Sequence, residues 1–514
     1  MGQILLRGRY VVSDPAELPG GGIIEDGGVL VSGRTIEAVG AFDELSRAHP
    51  SAEVIGSDSH LVIPGLVNSH DHGRGLAGNR IGIRDGYLES WLFEYWRQHP
   101  LDSYLDTLYS AIRQLRSGVT CVLHLGYTRD WARPGEEVGE SIKAYKDAGI
   151  KAAFAPGVED QNTFILDDND AFIASLPSNL GPRLSSALNG LSPPAGYDFF
   201  ELMEQTLESC VDDPNIKILY GPSGPEWVSP DLLTGIAEAA AAKGVGIQIH
   251  CLESPTQKAY FEKTYGKTAV AHLNDLGILG PKTSLAHAGW VNEDDMALCA
   301  ETGSVICHNP SSNLRLHNGI APVARMLELG TPVAIGLDSN TLNSDHDMFQ
   351  EMRLADALHR CPRGTPYDAC PEPADILRMA TLGGAKATTF DDQIGSLLPG
   401  RDADAVLLDF DRIAQPYLEA GTSVSDIVVR LARPEHVDKV MVSGRLLVDG
   451  GRLLHHDEGA IAAELATIAA GPVSPAMQAF YDLFGELRPL AEQYYRRTYG
   501  PQELTPGYTV NSLT

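Results

Sequence analysis

The chain is poor in positive charge. Its 514 residues include 39 lysines and arginines against 68 aspartates and glutamates, a formal net charge of −29. An acidic surface of this kind repels nucleic-acid phosphates and anionic lipid headgroups. We therefore expect neither a nucleic-acid partner nor a membrane partner.

Long apolar runs and a secretory leader are also missing. No uninterrupted apolar stretch is long enough for a membrane-spanning helix. The opening segment, MGQILLRGRYVVSDPAE, lacks the apolar core and small-residue cleavage site of a signal peptide. The seven scattered cysteines, an odd number, are typical of reduced thiols rather than of a disulfide framework. These absences predict a cytoplasmic protein.

Signatures of two other enzyme classes are absent as well. The chain has no glycine-rich dinucleotide or phosphate-binding loop. It also lacks the H-x-E and P-C-x-x-C elements of the cysteine-ligated deaminases. What it has is a globular composition, 43% apolar and 21% charged. At this length we expect a large catalytic domain and a smaller second one.

Eight apolar strand candidates alternate with helical stretches through the middle of the chain. Each is a continuous apolar run, as expected of strands buried on both faces, and helical segments such as PDLLTGIAEAAAAKG separate them. This order favours an α/β fold with a closed parallel (β/α)8 TIM-type barrel over an open doubly wound sheet. The candidate strands span 61–70, 119–125, 151–158, 216–223, 246–253, 283–290, 304–310 and 332–340.

Both ends of the chain carry the same hairpin pattern. VLVSGRTIEAVG and VMVSGRLLVDGG alternate in polarity around a Gly-Arg turn. We expect residues 1–60 and 396–460 to pair into one small β-sandwich domain, with an internal duplication as the alternative. The barrel then occupies residues 61–395, with residues 159–215 folded over its mouth. Residues 461–514 are predicted to form a helical extension that packs on the barrel or on a second subunit.

Histidines and acidic residues stand at the ends of these strands. His70 and His72 are two positions apart, so both side chains project to one face of their strand. The ends of parallel barrel strands meet at one mouth, where the active site lies. Imidazole nitrogens and carboxylates are good ligands for Zn²⁺ or another first-row divalent ion. We therefore expect His70 and His72 to hold a metal, although each strand-end residue taken alone could be structural. The remaining strand-end candidates are His250, Glu253, His287, His308 and Asp338.

The chain resembles the amidohydrolase superfamily, in the branch of the cytosine, guanine and S-adenosylhomocysteine deaminases and the s-triazine hydrolases. Over residues 1–460 the resemblance is carried by the ordered motifs PGLVNSHDH, IHCLE, LAHAGW, CHNPSSNL, GLDSN and GSLLPGRDADAVLLD. It implies one divalent metal ion held by His70, His72, His250 and Asp338. Zinc is the first choice, and iron, cobalt or manganese are the alternatives. It also implies that Glu253 shuttles protons and that His287 and Asp338 orient the attacking water.

The chemistry of these residues agrees with that assignment. A divalent ion lowers the pKa of bound water from 15.7 to about 7, so that metal-bound hydroxide can attack an sp² ring carbon. Glu253 can then carry a proton from the water to a ring nitrogen and to the departing amine. We expect a metal-dependent amidohydrolase that deaminates a pterin, purine, pyrimidine or s-triazine and releases ammonia. The alternatives are hydrolysis of another C–N or C–Cl bond, of urea, carbamate or s-triazine type, on the same mononuclear centre, and a non-catalytic scaffold.

A single metal ion is expected because the one lysine of strand 4 is not placed to bridge two ions. Binuclear members of the superfamily bridge two ions with a carboxylated lysine at the end of strand 4. Here that strand ends ILYGPSGPEW, and Lys217 lies near its start, too early to reach the mouth.

Three further residues are candidates for contact with a small-molecule substrate. Trp91, with Tyr95 four residues on, would form a wall for a flat ring or pack in the core. Ser223, in GPSGP, stands where related nucleoside deaminases carry a substrate-binding histidine, a departure that argues against nucleoside and homocysteine substrates. His308 would bond substrate or anchor its own loop. We also expect a homo-oligomer.

Overall fold

The structure, a computed structural model, describes residues 2–128, 130–189, 193–194, 196–360 and 370–500. The strands in these ranges form one nine-stranded sheet, two four-stranded sheets and one pair of short strands. Within the same ranges, none of the helices has both the length and the apolar character needed to cross a membrane. Five of the described cysteines, Cys121, Cys210, Cys251, Cys299 and Cys307, are free thiols, as predicted.

Eight parallel strands make up the two four-stranded sheets. All seven residues of the strand Val119–Leu125 are buried, which explains why the sequence shows a continuous apolar run there. A parallel bridge between Tyr220 and Ile247 joins one sheet to the other. At their opposite edges, the Asp338 amide donates a hydrogen bond to the His70 carbonyl, at 2.9 Å. The eight strands are Leu66–Asp71, Val119–Leu125, Lys151–Ala155, Ile216–Ile218, Ile247–Cys251, Thr283–His287, Val305–His308 and Val333–Ile335, and the short pair is Gly157–Val158 with Gly221–Pro222.

The single strand predicted over residues 61–70 is wrong, because the chain changes sheets at Gly65. His60–Pro64 pairs within the nine-stranded sheet, whereas Leu66–Asp71 pairs within a parallel sheet. A Cβ atom at position 65 would lie 2.0 Å from Thr120 Oγ1. Only glycine allows this close approach, so the crossing between the two sheets requires it.

The nine-stranded sheet combines strands from the N-terminal segment with strands from the C-terminal segment 396–460, as predicted. His60–Pro64 and Ala405–Asp409 pair antiparallel in its centre, and the two similar hairpins lie on opposite sides of this pairing. The first hairpin turns at Gly33-Arg34, but the second turns at Ser443-Gly444, one residue earlier than its sequence predicts. The sandwich arrangement remains a prediction. The nine strands are Gln3–Val12, Ile23–Ser32, Thr35–Ala41, Glu53–Gly56, His60–Pro64, Ala405–Asp409, Val437–Val442, Arg445–Asp449 and Arg452–Leu453.

Helices separate the parallel strands, and local sequence signals set their ends. In Pro230–Lys243 the Ser229 side chain accepts a hydrogen bond from the Leu232 amide, and Gly244 ends the helix with a φ of 67°. The α-helices are Phe42–Ala48, Leu88–Tyr95, Ser103–Arg116, Pro134–Ala148, Asn169–Ser175, Gly181–Asn189, Phe199–Cys210, Pro230–Lys243, Pro255–Tyr265, Ala269–Asp275, Glu293–Thr302, Pro310–Arg315, Val323–Glu328, Ser339–Asn343, Met348–Leu358, Pro373–Arg378, Gly384–Ala387, Phe410–Ile413, Val424–Asp426, Glu458–Ala469 and Pro475–Tyr499. Short 3₁₀ helices span Pro15–Glu17, Gly78–Ile81 and Pro434–His436, and π-helical turns span Met379–Gly383 and Ile427–Leu431.

The long C-terminal helix, Pro475–Tyr499, packs against the part of the chain that carries the parallel strands, which is one of its two predicted positions. It contacts the helix Leu88–Tyr95. The amide of Leu166 donates a hydrogen bond to the Tyr495 hydroxyl, at 2.8 Å. This contact ties the extension to the connection that follows the third parallel strand. The predicted extension beyond residue 500 lies outside the described residues.

A buried lysine joins the parallel strands to the nine-stranded sheet. Lys151 begins the third parallel strand, and its fully buried Nζ lies 2.5 Å from Asp404 Oδ1 and 3.3 Å from Asp402 Oδ2. Nζ also donates a hydrogen bond to Ser443 Oγ, at 2.6 Å. The ammonium group therefore compensates two carboxylates that are shielded from water.

We expect Lys151→Met to lower the free energy of unfolding by about 3–5 kcal/mol, because the substitution leaves a buried carboxylate without its partner. Urea denaturation followed by circular dichroism measures the change. Lys143→Met is the matched control: it breaks an ion pair with Asp147 in which the lysine side chain is 62% exposed, and such pairs contribute less than about 1 kcal/mol. Similar losses in the two variants would contradict the assigned role of Lys151.

Candidate metal centre and active site

The predicted metal ligands meet at the carboxyl ends of their strands. His70 and His72 come from the first parallel strand and the residue after it, His250 from the fifth, and Asp338 follows the eighth. The Nε2 atoms of His70 and His72 lie 3.3 and 3.2 Å from Asp338 Oδ1. One ring nitrogen from each of the three histidines lies within 4.8 Å of the others. The four side chains thus converge on one point.

The environment of the three imidazoles fits a bound cation. The Nδ1 atoms of His72 and His250 lie 2.8 and 2.5 Å from the carbonyl oxygens of Leu125 and Ser223, so an Nδ1–H donates there and leaves the Nε2 lone pair free. His70 is fully buried, and within the described part of the chain neither of its ring nitrogens has a hydrogen-bond partner. Burial lowers the pKa of His70 and His250, which favours the neutral, metal-binding form.

Asp338 supplies a charged oxygen to this cluster. Burial acts to raise its pKa, but the imidazoles of His70 and His72, at 3.3 and 3.2 Å, hold the pKa well below its ordinary value, so the group is ionised. The Ser312 hydroxyl donates a hydrogen bond to Asp338 Oδ2, at 2.5 Å. Oδ1 remains directed at the two imidazoles. Three neutral nitrogens and one carboxylate oxygen form a donor set suited to a divalent first-row ion.

Glu253 and His287 face each other beside these ligands. Asn318 Nδ2 donates a hydrogen bond to Glu253 Oε1 at 2.9 Å, while Glu253 Oε2 lies 3.7 Å from His287 Nε2. His287 Nδ1 lies 2.9 Å from Asn313 Oδ1, where its proton is donated. Burial, followed by the charge of Asp338, raises the pKa of Glu253 well above its ordinary value, and burial lowers the pKa of His287 to about 4. A carboxyl group and a neutral imidazole in this position can take up and release protons.

The backbone at the strand ends is held in an uncommon conformation. Leu252, His287, Ala288, Asp338 and Ser339 all have φ between 47° and 72°, a region that residues with a side chain rarely adopt. Each costs on the order of 1–3 kcal/mol and persists only where the surrounding structure enforces it, most often at functional sites. Three of these five residues, His287, Asp338 and Ser339, also line the cavity at the mouth.

A cavity of about 370 Å³ opens onto the ligand cluster, and His72, His250, Glu253, His287 and Asp338 form part of its wall. Trp91 lines it as well, although only 6% of this residue is exposed, and stacks on Tyr95 with ring centroids 5.1 Å apart. Trp91 is therefore both a wall of the pocket and a packed core residue, so the two predicted alternatives hold together. The other aromatic residues of the lining are Trp96, Tyr127, Trp131, Phe164, Trp227, Phe480 and Tyr495.

A profile of the amidohydrolase family matches residues 61–447. The chain belongs to the amidohydrolase family. A second match, to the imidazolonepropionase-like composite domain of bacteria, covers residues 27–52. The predicted enzyme class, a metal-dependent amidohydrolase acting on carbon–nitrogen bonds, is confirmed.

Named relatives of this amidohydrolase are deaminases. The 5'-deoxyadenosine deaminase of Methanosarcina acetivorans is 29% identical over 486 residues, 93% of this chain and 100% of that protein. The 5-methylthioadenosine/S-adenosylhomocysteine deaminase of Syntrophobacter fumaroxidans is 31% identical over 468 residues, 88% of this chain and 94% of that protein. A crystal structure of an adenosine deaminase from Xanthomonas campestris with bound zinc has a TM-score of 0.73 at 26% identity, over 91% of this chain and 98% of that one. These likenesses confirm the TIM-type α/β fold and the predicted hydrolytic deamination of a heterocycle.

The other two predicted substrate contacts of the amidohydrolase have different positions. Ser223 lines the cavity, its carbonyl holds His250, and its buried hydroxyl has no hydrogen-bond partner among the described residues. His308 is absent from the cavity lining, and its Nε2 lies 3.1 Å from Nε2 of His359. That position favours the alternative prediction, in which His308 anchors the loop after its strand, and we do not propose a substrate contact for it.

Lys217 is directed away from the amidohydrolase site. Its Nζ donates a hydrogen bond to the Thr389 carbonyl and lies over the ring of Phe390, 4.4 Å from the centroid. It is absent from the residues that line the cavity. The expectation of a single metal ion rests on this lysine and remains a prediction.

Several residues around the amidohydrolase site were missed by the sequence analysis. Three are glutamates: burial raises the pKa of Glu89 and Glu159 to about 7 and that of Glu226 to about 8. Glu159 directly follows a predicted strand, and this position at a strand end is the signal that could have identified it. Ser312 and Asn313 lie within the CHNPSSNL motif, which pointed to them without assigning them a role.

Proposed function

We propose that this amidohydrolase deaminates an amino-substituted nitrogen heterocycle with the help of one divalent metal ion per chain. The observation that carries the proposal is the position of Glu253 and His287, side by side in the wall of an aromatic cavity and next to four convergent ligands. The residues that would hold the ion are His70, His72, His250 and Asp338. A divalent ion supplies water with its pKa lowered to about 7, and the zinc of the Xanthomonas relative makes zinc the first candidate.

The cavity walls are suited to a flat ring. A volume of about 370 Å³ falls within the range of about 300–1,000 Å³ typical of small-molecule sites. Trp91 and Tyr95 stack on each other with an interplanar angle of 27°, and Trp227 lines the same cavity. Aromatic faces such as these orient a planar heterocycle by offset stacking and apolar contact. The ring would then present its amino-bearing carbon to Glu253.

Glu253 is placed to move the protons that deamination requires. Asn318 occupies Oε1, which leaves Oε2 free to accept a proton from the attacking water. As the water oxygen bonds to the ring carbon, Glu253 takes one proton from it and gives this proton to the ring nitrogen. Glu253 then takes the second proton from the new hydroxyl group and gives it to the amino group, the C–N bond breaks to release ammonia, and the oxygen remains on the ring carbon as a carbonyl. His287 Nε2, 3.7 Å from Glu253 Oε2 and 3.9 Å from Asp338 Oδ2, can accept a hydrogen bond from the same water.

A substrate panel scored for ammonia and for product mass tests the proposal. The zinc-loaded enzyme is incubated with adenine nucleosides, guanine, pterins, aminopyrimidines and amino-s-triazines. We expect one ring class to release ammonia and to gain one heavy oxygen from ¹⁸O-labelled water, with its ring intact. Release of an alkylamine or of chloride instead would establish the alternative C–N or C–Cl hydrolysis. An absence of turnover across the panel would contradict deamination.

We also propose a finer description of the fold. The two parallel sheets close into one eight-stranded barrel, an arrangement supported by the Tyr220–Ile247 bridge and by the hydrogen bond from Asp338 to His70. The small domain comprises residues 1–64 and 396–460, since His60–Pro64 pairs within its sheet. Within the described part of the chain, residues 461–500 are the helical extension.

A further inference from the structure

The described lining of this amidohydrolase's cavity has more acidic side chains than lysines and arginines. Besides Glu253 and Asp338, two glutamates line it, Glu89 and Glu159. Among the described residues of the lining, Arg74 is the one lysine or arginine, and its guanidinium lies 3.4 Å from the carboxylate of Asp106 and donates hydrogen bonds to a neighbouring tyrosine hydroxyl. The charge of Arg74 is therefore already compensated. The proposed divalent ion would lie next to Asp338, and no described lysine or arginine of the lining remains free to pair with Glu89 or Glu159.

Glu89 has an oxygen that no protein group satisfies. The residue is only 4% exposed, and the Ser254 hydroxyl donates a hydrogen bond to its Oε1. Its Oε2 is buried without a hydrogen-bond partner among the described residues. A buried carboxylate oxygen left unpaired is costly. Because Glu89 lines the cavity, a donor brought by the ligand can supply the missing partner.

A second buried carboxylate reinforces the same region. Glu226 is fully buried, and Gln257 Nε2 donates a hydrogen bond to its Oε1 at 2.5 Å. Its Oε2 also lacks a hydrogen-bond partner in the described part of the chain. The Gln257 side-chain oxygen in turn accepts the Glu253 amide, at 2.5 Å. Glu89 and Glu226 are thus attached, through Ser254 and Gln257, to the segment that carries the proton shuttle.

The aromatic lining favours the same kind of ligand. Tyr127, Trp227 and Tyr495 line the cavity together with the stacked pair of Trp91 and Tyr95. The faces of such rings attract cations, and the attraction is stronger where water is excluded. Carboxylates and aromatic faces in one enclosed space form a site for a positively charged group.

We propose that the substrate carries a cationic nitrogen group, of ammonium or amidinium type, which is bound by Glu89 with support from Glu159 and Glu226. The inference rests on the proposed function in one respect: the cation belongs to the molecule whose ring is deaminated. The unpaired Glu89 oxygen accepts a charge-assisted hydrogen bond from this group, and the aromatic faces surround it. Neutral rings of the same shape lack this interaction.

Calorimetry with two matched probes tests the proposal on the zinc-loaded full chain. Benzamidinium and benzamide have the same planar shape, but only the first is charged. We expect benzamidinium to bind about tenfold more tightly, because charge-assisted hydrogen bonds are about twice as strong as neutral ones. We expect Glu89→Gln to remove most of this preference, since glutamine keeps the size of the side chain and its bond with Ser254 but not its charge.

Two further variants complete the test. Glu238→Gln, on the exposed face of the helix Pro230–Lys243, changes the net charge equally and should leave the preference intact. Glu159→Gln removes another carboxylate of the cavity lining and should also weaken the preference for benzamidinium. It replaces Glu89→Gln as the test variant if circular dichroism shows that Glu89→Gln does not fold. Equal affinities for the two probes in the wild type would overturn the proposal. So would a preference that persists unchanged in the cavity variants.

The binding assay does not depend on turnover, so its outcome separates the two proposals. A benzamidinium preference combined with no ammonia release from the substrate panel would refute deamination and leave the cation site standing. Ammonia release from neutral rings, combined with equal binding of the two probes, would refute the cation site and leave deamination standing.

Discussion

Replacing Glu253 with glutamine is expected to lower kcat by about 10²–10⁴ while the metal content stays the same. Glutamine has the size of glutamate, and its side-chain oxygen can still accept the hydrogen bond from Asn318 Nδ2. It cannot accept a proton from the attacking water or return one to the leaving nitrogen. Ammonia release under substrate saturation gives kcat, and elemental analysis of the same sample gives the metal content.

A matched control for this prediction is Glu262→Gln. Glu262 lies on the helix that follows Glu253, and its side chain is 59% exposed and faces Lys258 at 3.8 Å. The control should turn over like the wild type. Near-normal turnover in Glu253→Gln would transfer the proton shuttle to His287, whose Nε2 is the neighbouring titratable nitrogen.

The strand-end candidates could be predicted because their positions depend on a general property of the fold, and the resemblance to the amidohydrolase superfamily then selected four of the seven as proposed ligands. Once alternating apolar strands and helices indicate parallel strands, the residues at the strand ends must share one edge. His70, His72, His250 and Asp338 all stand at such ends, and the structure brings them together. Their convergence required no knowledge of side-chain packing.

The change of sheets at Gly65 could not be predicted from polarity. The residues on both sides, LVIP and LV, are apolar and buried, so the pattern predicts one continuous strand. Which sheet each half joins depends on partners that are distant in sequence, the strand Ala405–Asp409 for the first half and Val119–Leu125 for the second. The glycine marks a possible break but carries no information about these partners.

The acidic lining escaped the sequence analysis for a related reason. Glu89 lies outside the strand pattern, on the helix Leu88–Tyr95, which packs against the C-terminal helix and contributes to the cavity lining. Glu226 follows a short strand within a loop. In the sequence both resemble ordinary surface glutamates, and only the fold shows that they are buried.

Replacing Asp338 with asparagine is expected to remove both the metal and the activity. Asp338 is the one charged residue among the four proposed ligands, and its Oδ1 lies within 3.3 Å of two histidine nitrogens. Asparagine keeps the shape but removes the charge that balances a divalent ion. The loss of metal affinity should exceed the about 10–100-fold that removal of an outer hydrogen-bond partner costs.

Ser312→Ala provides the graded comparison for Asp338→Asn. It leaves the carboxylate in place and removes the hydrogen bond to Oδ2. We therefore expect metal affinity or activity to fall by about 10–100-fold, which is the usual result of removing a group that hydrogen-bonds a metal ligand. Titration against a chelator gives the affinities, and elemental analysis gives the ions per chain. Zinc should raise the melting temperature of the wild type, because a ligand bound only by the native state stabilises it, and should leave Asp338→Asn unchanged. Full metal content in Asp338→Asn would contradict its role as a ligand, and two tightly held ions in the wild type would contradict a mononuclear centre.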